Sequence, residues 1–143
     1  MKSHIAHFAL VVADYDEAIS FYTKTLNFVV IEDTQLSATK RWVLIAPTST
    51  SETKLLLAKA ANQDQVLRVG NQTGGRVFLF LHTDNFHRDY QRLIDHDVTI
   101  VREPVVETWG TVAVFADLYG NLWDLIDPST QPKTGSHLLP VQR

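Results

Sequence analysis

The stretch GGRVFLFLHTDNFHRDYQRLIDHDVTIVREPVVETWGTVAVFADLYGNLWDLID, residues 74–127, decides the fold. Val77 to Leu81 is an apolar, β-rich run that follows the chain break offered by Gly74-Gly75. Asp84-Asn85 supplies a helix start, and Phe86, Tyr90 and Leu93 then recur at i, i+4 and i+7, the spacing of one helical face. Three further β-rich segments follow, Val98 to Arg102, Thr111 to Phe115 and Leu122 to Ile126, with Tyr119-Gly120-Asn121 turning the chain before the last. The unit therefore reads β-α-β-β-β.

The same order occurs upstream. Phe8 to Val12 matches the strand and Ala18 to Leu26 the helix, and Val29 to Glu32, Trp42 to Ala46 and Leu55 to Ala58 supply three more strands. Arg76 lies 69 residues after His7 and Asp97 lies 70 after Asn27, a period near half the chain, so a tandem duplication is expected. The fold class that follows is α+β, two tandem β-α-β-β-β modules forming a curled mixed sheet around a cavity. The expected divisions of a single 1–143 domain are a first module over 4–60, a linker over 61–73, a second module over 74–127 and an irregular tail over 128–143.

Composition narrows the function. A chain of 143 residues can bury one good core but not two ordinary domains. The formal charge of −3, with no basic stripe, argues against nucleic acid as a partner. There is no cysteine, which excludes disulfides, thiolate nucleophiles and Cys-ligated zinc. The opening MKSHIAHF has no signal-peptide core, and no apolar run approaches the roughly 20 residues a membrane helix needs, so a cytoplasmic protein without membrane contact is expected.

Local signals fill in the first module. Strand alternation puts Ile5, His7, Ala9 and Val11 on one face and Phe8, Leu10 and Val12 on the other, the second set carrying the helix. Asp14 or Asp16 is the expected N-cap, Ile19, Tyr22 and Leu26 the buried stripe, and Asn27 a left-handed stop. No HExxH, phosphate loop, G-x-S-x-G or dinucleotide fingerprint is present.

The segment ADYDEAISFYTKTLNF and the close DLYGNLWDLID resemble the vicinal oxygen chelate superfamily, which includes glyoxalase, extradiol dioxygenases and bleomycin-resistance proteins. The resemblance covers residues 4–127 and implies paired modules around a cavity, a homodimer and, in many members, a divalent metal held from the first and last strands of each module. Carried over residue by residue, the four ligand positions fall on His7, Leu56, Arg76 and Asp124. Leu56 has no donor atom, and Arg76 places a permanent positive charge where a cation would sit. The expectation is therefore that no metal cofactor is held and that an Arg76–Asp124 ion pair beside His7 takes its place, receiving a ligand oxyanion. Phe78, Phe80 and His82 share the face of Arg76 by alternation, giving aromatic walls, and Trp109 sits at a cavity-edge bend. Against this, aromatic strand residues are more often plain core, and an Arg–Asp pair can be purely structural. Trp123 is expected in the core, and His4, His87, His96 and His137 on the surface.

Three functions from different classes fit these residues. The first is a metal-independent binder of a small oxyanion or aromatic compound, like the resistance branch of the superfamily. A metal-dependent glyoxalase- or dioxygenase-like enzyme on a small oxygenated metabolite is the second, and an interaction or regulatory module the third.

Overall fold

A computed structural model describes residues 2–130; the expected tail beyond Thr130, with His137, lies outside the described residues. The chain divides into two compact units, Met1–Gln72 and Thr73–Arg143. Each has the β-α-β-β-β order, with a four-stranded mixed sheet that does not close into a barrel. No helix among the described residues is long and apolar enough to cross a membrane.

In the first unit, β1 (His7–Val12), α1 (Tyr15–Ser20), β2 (Val29–Gln35), β3 (Arg41–Ala46) and β4 (Lys54–Lys59) build a sheet of order β1-β4-β3-β2. Only the β1–β4 pair is parallel, the geometry a crossover helix imposes. Leu10, Val12, Val43, Ile45, Leu55 and Leu57 form the buried face, packed with Tyr15, Ala18 and Tyr22 of the helical segment. Asp14 is the N-cap, accepting from the Glu17 amide at 2.8 Å. The α-turns end at Ser20, and a π-helical turn, Phe21–Thr25, carries the chain on. This wider turn changes the phase of the helix. The buried positions become Tyr15, Ala18, Tyr22 and Thr25, while Ile19 and Leu26 of the expected stripe are only half-buried. Asn27 stops the segment at φ 61°, as its tolerance of the left-handed region anticipates. The segment joining the units is tied to the first one. A short α2 (Gln63–Val66) packs near β1, and the Gln72 side chain accepts from the Val11 amide at 3.3 Å.

In the second unit, β5 (Val77–His82), α3 (Phe86–Asp95), β6 (Ile100–Glu107), β7 (Gly110–Ala116) and β8 (Leu122–Asp127) repeat the plan with order β5-β8-β7-β6. Asn85 caps α3, and Asp97 ends the helical excursion at φ 56°, the counterpart of Asn27. Trp123 is buried and stacks on Phe115 with ring centres 6.0 Å apart. The β6–β7 hairpin turns at Thr108-Trp109, and its return strand starts at Gly110 with φ 135°. A Cβ there would lie 2.5 Å from the Asp127 carbonyl oxygen, so the close approach of β7 to the end of β8 depends on glycine.

Candidate functional site

The four positions carried over from the resemblance can be placed on the two ladders. His7 pairs with Lys54, and Ala9 with Leu56; in the second unit Val77 pairs with Leu122, and Phe80 with Asp124. Leu56 and Asp124 are thus true counterparts. The counterpart of His7 is Val77, not Arg76. A β-bulge between Val77 and Leu79 inserts one residue into β5, which sequence spacing had placed at the strand end.

The Arg76–Asp124 ion pair expected from the sequence does not form. Arg76 is exposed and precedes β5, whereas Asp124 is fully buried. Among the described residues, the arginines in ion pairs are Arg41, Arg88 and Arg102. Asp124 lies in a ladder row with Phe80, Val114 and Arg102, and Arg102 is committed to Glu107 at 2.7 Å. The bulge also breaks the shared face assumed for Arg76, Phe78, Phe80 and His82. Phe80 stands beside Asp124 and is 61% exposed, while Phe78 is half-buried. Trp109 is half-buried at the tip of the β6–β7 hairpin.

A divalent metal does not suit this set of side chains. Each unit offers one donor in the family's pattern, His7 in the first and Asp124 in the second, with an aliphatic side chain at the ladder equivalent of each, Val77 and Leu56. Within each unit, no group of three His, Cys, Asp or Glu residues comes together among the described residues. His7 is exposed, and its Nδ1 sits 2.6 Å from the Ala6 carbonyl, which fixes the hydrogen on Nδ1. The neutral ring therefore offers an acceptor at Nε2 and donates there only as the imidazolium. It makes a T-shaped contact with Trp42 of β3, with ring centres 6.0 Å apart and planes 74° to each other.

Trp42 leads to the feature that the sequence did not reveal. The β3–β4 ladder consists of Val43–Leu57, Leu44–Leu56 and Ile45–Leu55, and there it stops. Arg41 and Trp42 pair only with β2, and Ala58 and Lys59 only with β1. The two central strands have parted, and a cavity of about 560 Å³ lies where they diverge, with Tyr15, Trp42, Leu56, Ala58 and Lys59 among its walls. The wedge is Tyr15, a buried residue whose hydroxyl accepts the Arg41 amide at 3.2 Å. The Ala60 amide donates to Val12 on the β1 side, so alternation turns the Lys59 amide toward β3, where no strand stands opposite it.

Arg41 braces this wall. Its Nη1 reaches Asp16 of the helix at 2.8 Å, its Nη2 and Nε take both oxygens of Asp33 on β2 at 2.6 and 3.1 Å, and its guanidinium lies 5.2 Å from the centre of the Tyr15 ring. The hydrogen bonds from Arg41 hold the Asp33 carboxyl below the usual carboxylate range. Nothing in the sequence periodicity marks Tyr15, Trp42 or Lys59 as neighbours. Only the register of β3 on β4 brings them together.

Comparison with known proteins places this architecture. The family model of the Glyoxalase/Bleomycin resistance protein/Dioxygenase superfamily matches residues 4–125, and the chain belongs to that superfamily. An uncharacterized protein of Shewanella frigidimarina (strain NCIMB 400) is 55% identical over 127 residues, covering 88% of this chain and 94% of its own. Among solved structures, UcmS2 superposes with a TM-score of 0.76 at 32% identity, covering 89% of this chain and 99% of its own. TnmS3, an antibiotic binding protein from Streptomyces sp. CB03234, gives 0.71 at 29% identity, with 89% and 97% covered.

Proposed function

We propose that this protein binds a small organic molecule without a resident metal, in the manner of an antibiotic-binding or resistance protein. The observation that carries the proposal is the cavity of about 560 Å³ opened by the parting of β3 and β4, a size within the usual range for small-molecule sites. Its apolar side is built from Leu56, Leu57 and Ala58, and one wall is an indole. Leu56 is the residue that stands where a relative would carry a metal ligand, so the same substitution removes a donor and supplies apolar surface. The likeness to an antibiotic binding protein at 29% identity supports the same reading.

His7 joins this site through its contact with Trp42. Separately, within the second unit taken by itself, Arg76, Phe78, Phe80, Asp124 and Trp109 are proposed as residues of a ligand site, and Phe80 is the most accessible of the aromatic side chains among them. A homodimer belongs to the same proposal, favoured by the exposed Val101 and Val106 on the edge strand β6; light scattering on the purified protein tests it.

A thermal-shift panel of acids, aromatic compounds and antibiotics, run on protein treated with a chelator, tests the reading. A ligand at about 100 times its Kd adds about 2.7 kcal/mol of stability, a displacement easily read in such an assay. Stoichiometric divalent metal surviving purification, with ligand binding lost on its removal, would overturn it.

A further inference from the structure

Resting on the small-molecule reading above, we propose that the β3–β4 cavity selects a planar aromatic anion, with its ring against Trp42 and its negative group held by Lys40 and Lys59. The charge of the lining is the first observation. Among the cavity residues are Lys40, Arg41 and Lys59 and no carboxylate, in a chain whose formal charge is −3. A local excess of one sign against the overall balance marks what the site attracts.

The three cations are not equivalent. Arg41 is already neutralised by Asp16 and Asp33, so it shapes the wall and carries little free charge. Lys40 and Lys59 form no ion pair among the described residues, so two ammonium groups at the cavity are unneutralised. The Lys59 backbone amide, turned toward the gap where β3 has departed, adds a neutral donor from the same residue. Anions are well served by such a combination of ammonium and backbone N–H.

The second observation concerns shape. Trp42 is half-buried and in T-shaped contact with His7, and Leu56, Leu57 and Ala58 supply aliphatic surface to the cavity lining. An indole beside aliphatic side chains offers a planar π surface that an aromatic ring can pack against. Tyr15 keeps the slot open: its hydroxyl satisfies the Arg41 amide that would otherwise seek a ladder partner on Lys59.

The test uses three probes of one shape on the full chain: 1-naphthoate, 1-naphthylmethanol and 1-naphthylmethylammonium, followed by calorimetry and tryptophan fluorescence. Naphthoate should bind, weaken as salt is raised, and lose roughly fivefold to tenfold in affinity in Lys59→Met and in Lys40→Met, and about 25- to 100-fold in the double variant. The neutral alcohol should bind more weakly and be indifferent to those substitutions, and Trp42→Leu should weaken both. Circular dichroism and the melting temperature of each variant separate lost contacts from lost folding. Equal affinity for the acid and the alcohol, or unchanged naphthoate binding in the double lysine variant, overturns the anion proposal while the small-molecule reading stands. Silence from all three probes at roughly millimolar concentration also overturns it. The broader reading falls only if the wide ligand panel is silent as well.

Discussion

Replacing Arg41 with methionine keeps a long apolar stem beside Tyr15 and removes only the guanidinium. Three interactions are then lost: one carboxylate contact to Asp16, a two-pronged contact to Asp33, and the approach to the Tyr15 ring. The Arg41 side chain is 20% exposed, Asp33 36% and Asp16 79%, so solvent screens all of them and the Asp16 contact most. At about 0.5 kcal/mol for each of the three, the loss at neutral pH is about 1–1.5 kcal/mol. The pH dependence distinguishes this account from a simple packing defect. Arg41 depresses the folded-state pKa of Asp33, so its stabilisation is fully present above the unfolded value of about 3.9 and is lost as pH falls through the lower folded value. Urea unfolding of both proteins at pH 7 and through the acid range should show the gap between wild type and Arg41→Met closing as Asp33 is protonated. A gap that stays constant with pH, or a variant as stable as wild type at pH 7, would refute the charge-clamp reasoning.

Other substitutions probe other parts of the fold. Gly110→Ala should cost about 2–4 kcal/mol, because the new Cβ meets backbone atoms at 2.5 to 3.0 Å and no rotamer relieves it. Gly75→Ala is the control, since it has φ +106° but nothing within 4 Å of its Cβ; it should lose only about 1–2 kcal/mol by chemical denaturation. Asp14→Ala should remove about 1 kcal/mol through loss of the N-cap to the Glu17 amide, and Asp14→Ser should restore most of it in the same assay. Arg88 and Thr83 donate to Asp89 and outweigh its burial, holding its carboxyl below the usual range. Asp89→Asn should therefore narrow the acid-induced loss of stability below about pH 4, as read from thermal melts.

The order of elements was legible because each depends on local pattern. Apolar alternation marks the strands, Asp14 and Asn85 mark helix starts, and the paired stops at Asn27 and Asp97 report the duplication through a backbone requirement shared by both units. What could not be read was the register. The ladder puts the counterpart of His7 at Val77 rather than Arg76, with an inserted residue just beyond it between Val77 and Leu79, and the ion pair that spacing had suggested does not form. A bulge has no signature in a run such as Val77-Phe78-Leu79-Phe80, where every residue is apolar and either register is equally hydrophobic. The π turn at Phe21–Thr25 was hidden for the same reason: SFYTKT reads as ordinary helix, and only tertiary packing of Tyr22 and Thr25 chooses the wider turn.

The cavity was invisible for a different reason. Tyr15 directly follows Asp14, Lys40 precedes the expected strand Trp42 to Ala46, and Lys59 follows the expected strand Leu55 to Ala58, so no local pattern groups them. Their chemistry becomes a site only because the β3–β4 ladder stops three pairs in and a phenol hydroxyl fills the place of the next one. Leu56 was singled out as a missing metal ligand, and the ladders make it the equivalent of Asp124. It also lines the cavity.

Ligand titration into metal-stripped protein tests the central claim most directly. Calorimetry of the chelator-treated chain with an aromatic acid should give the same affinity as untreated protein, unchanged when Zn²⁺, Ni²⁺, Mn²⁺ or Fe²⁺ is added back. Binding that disappears on chelation and returns only with one of those ions would contradict the account.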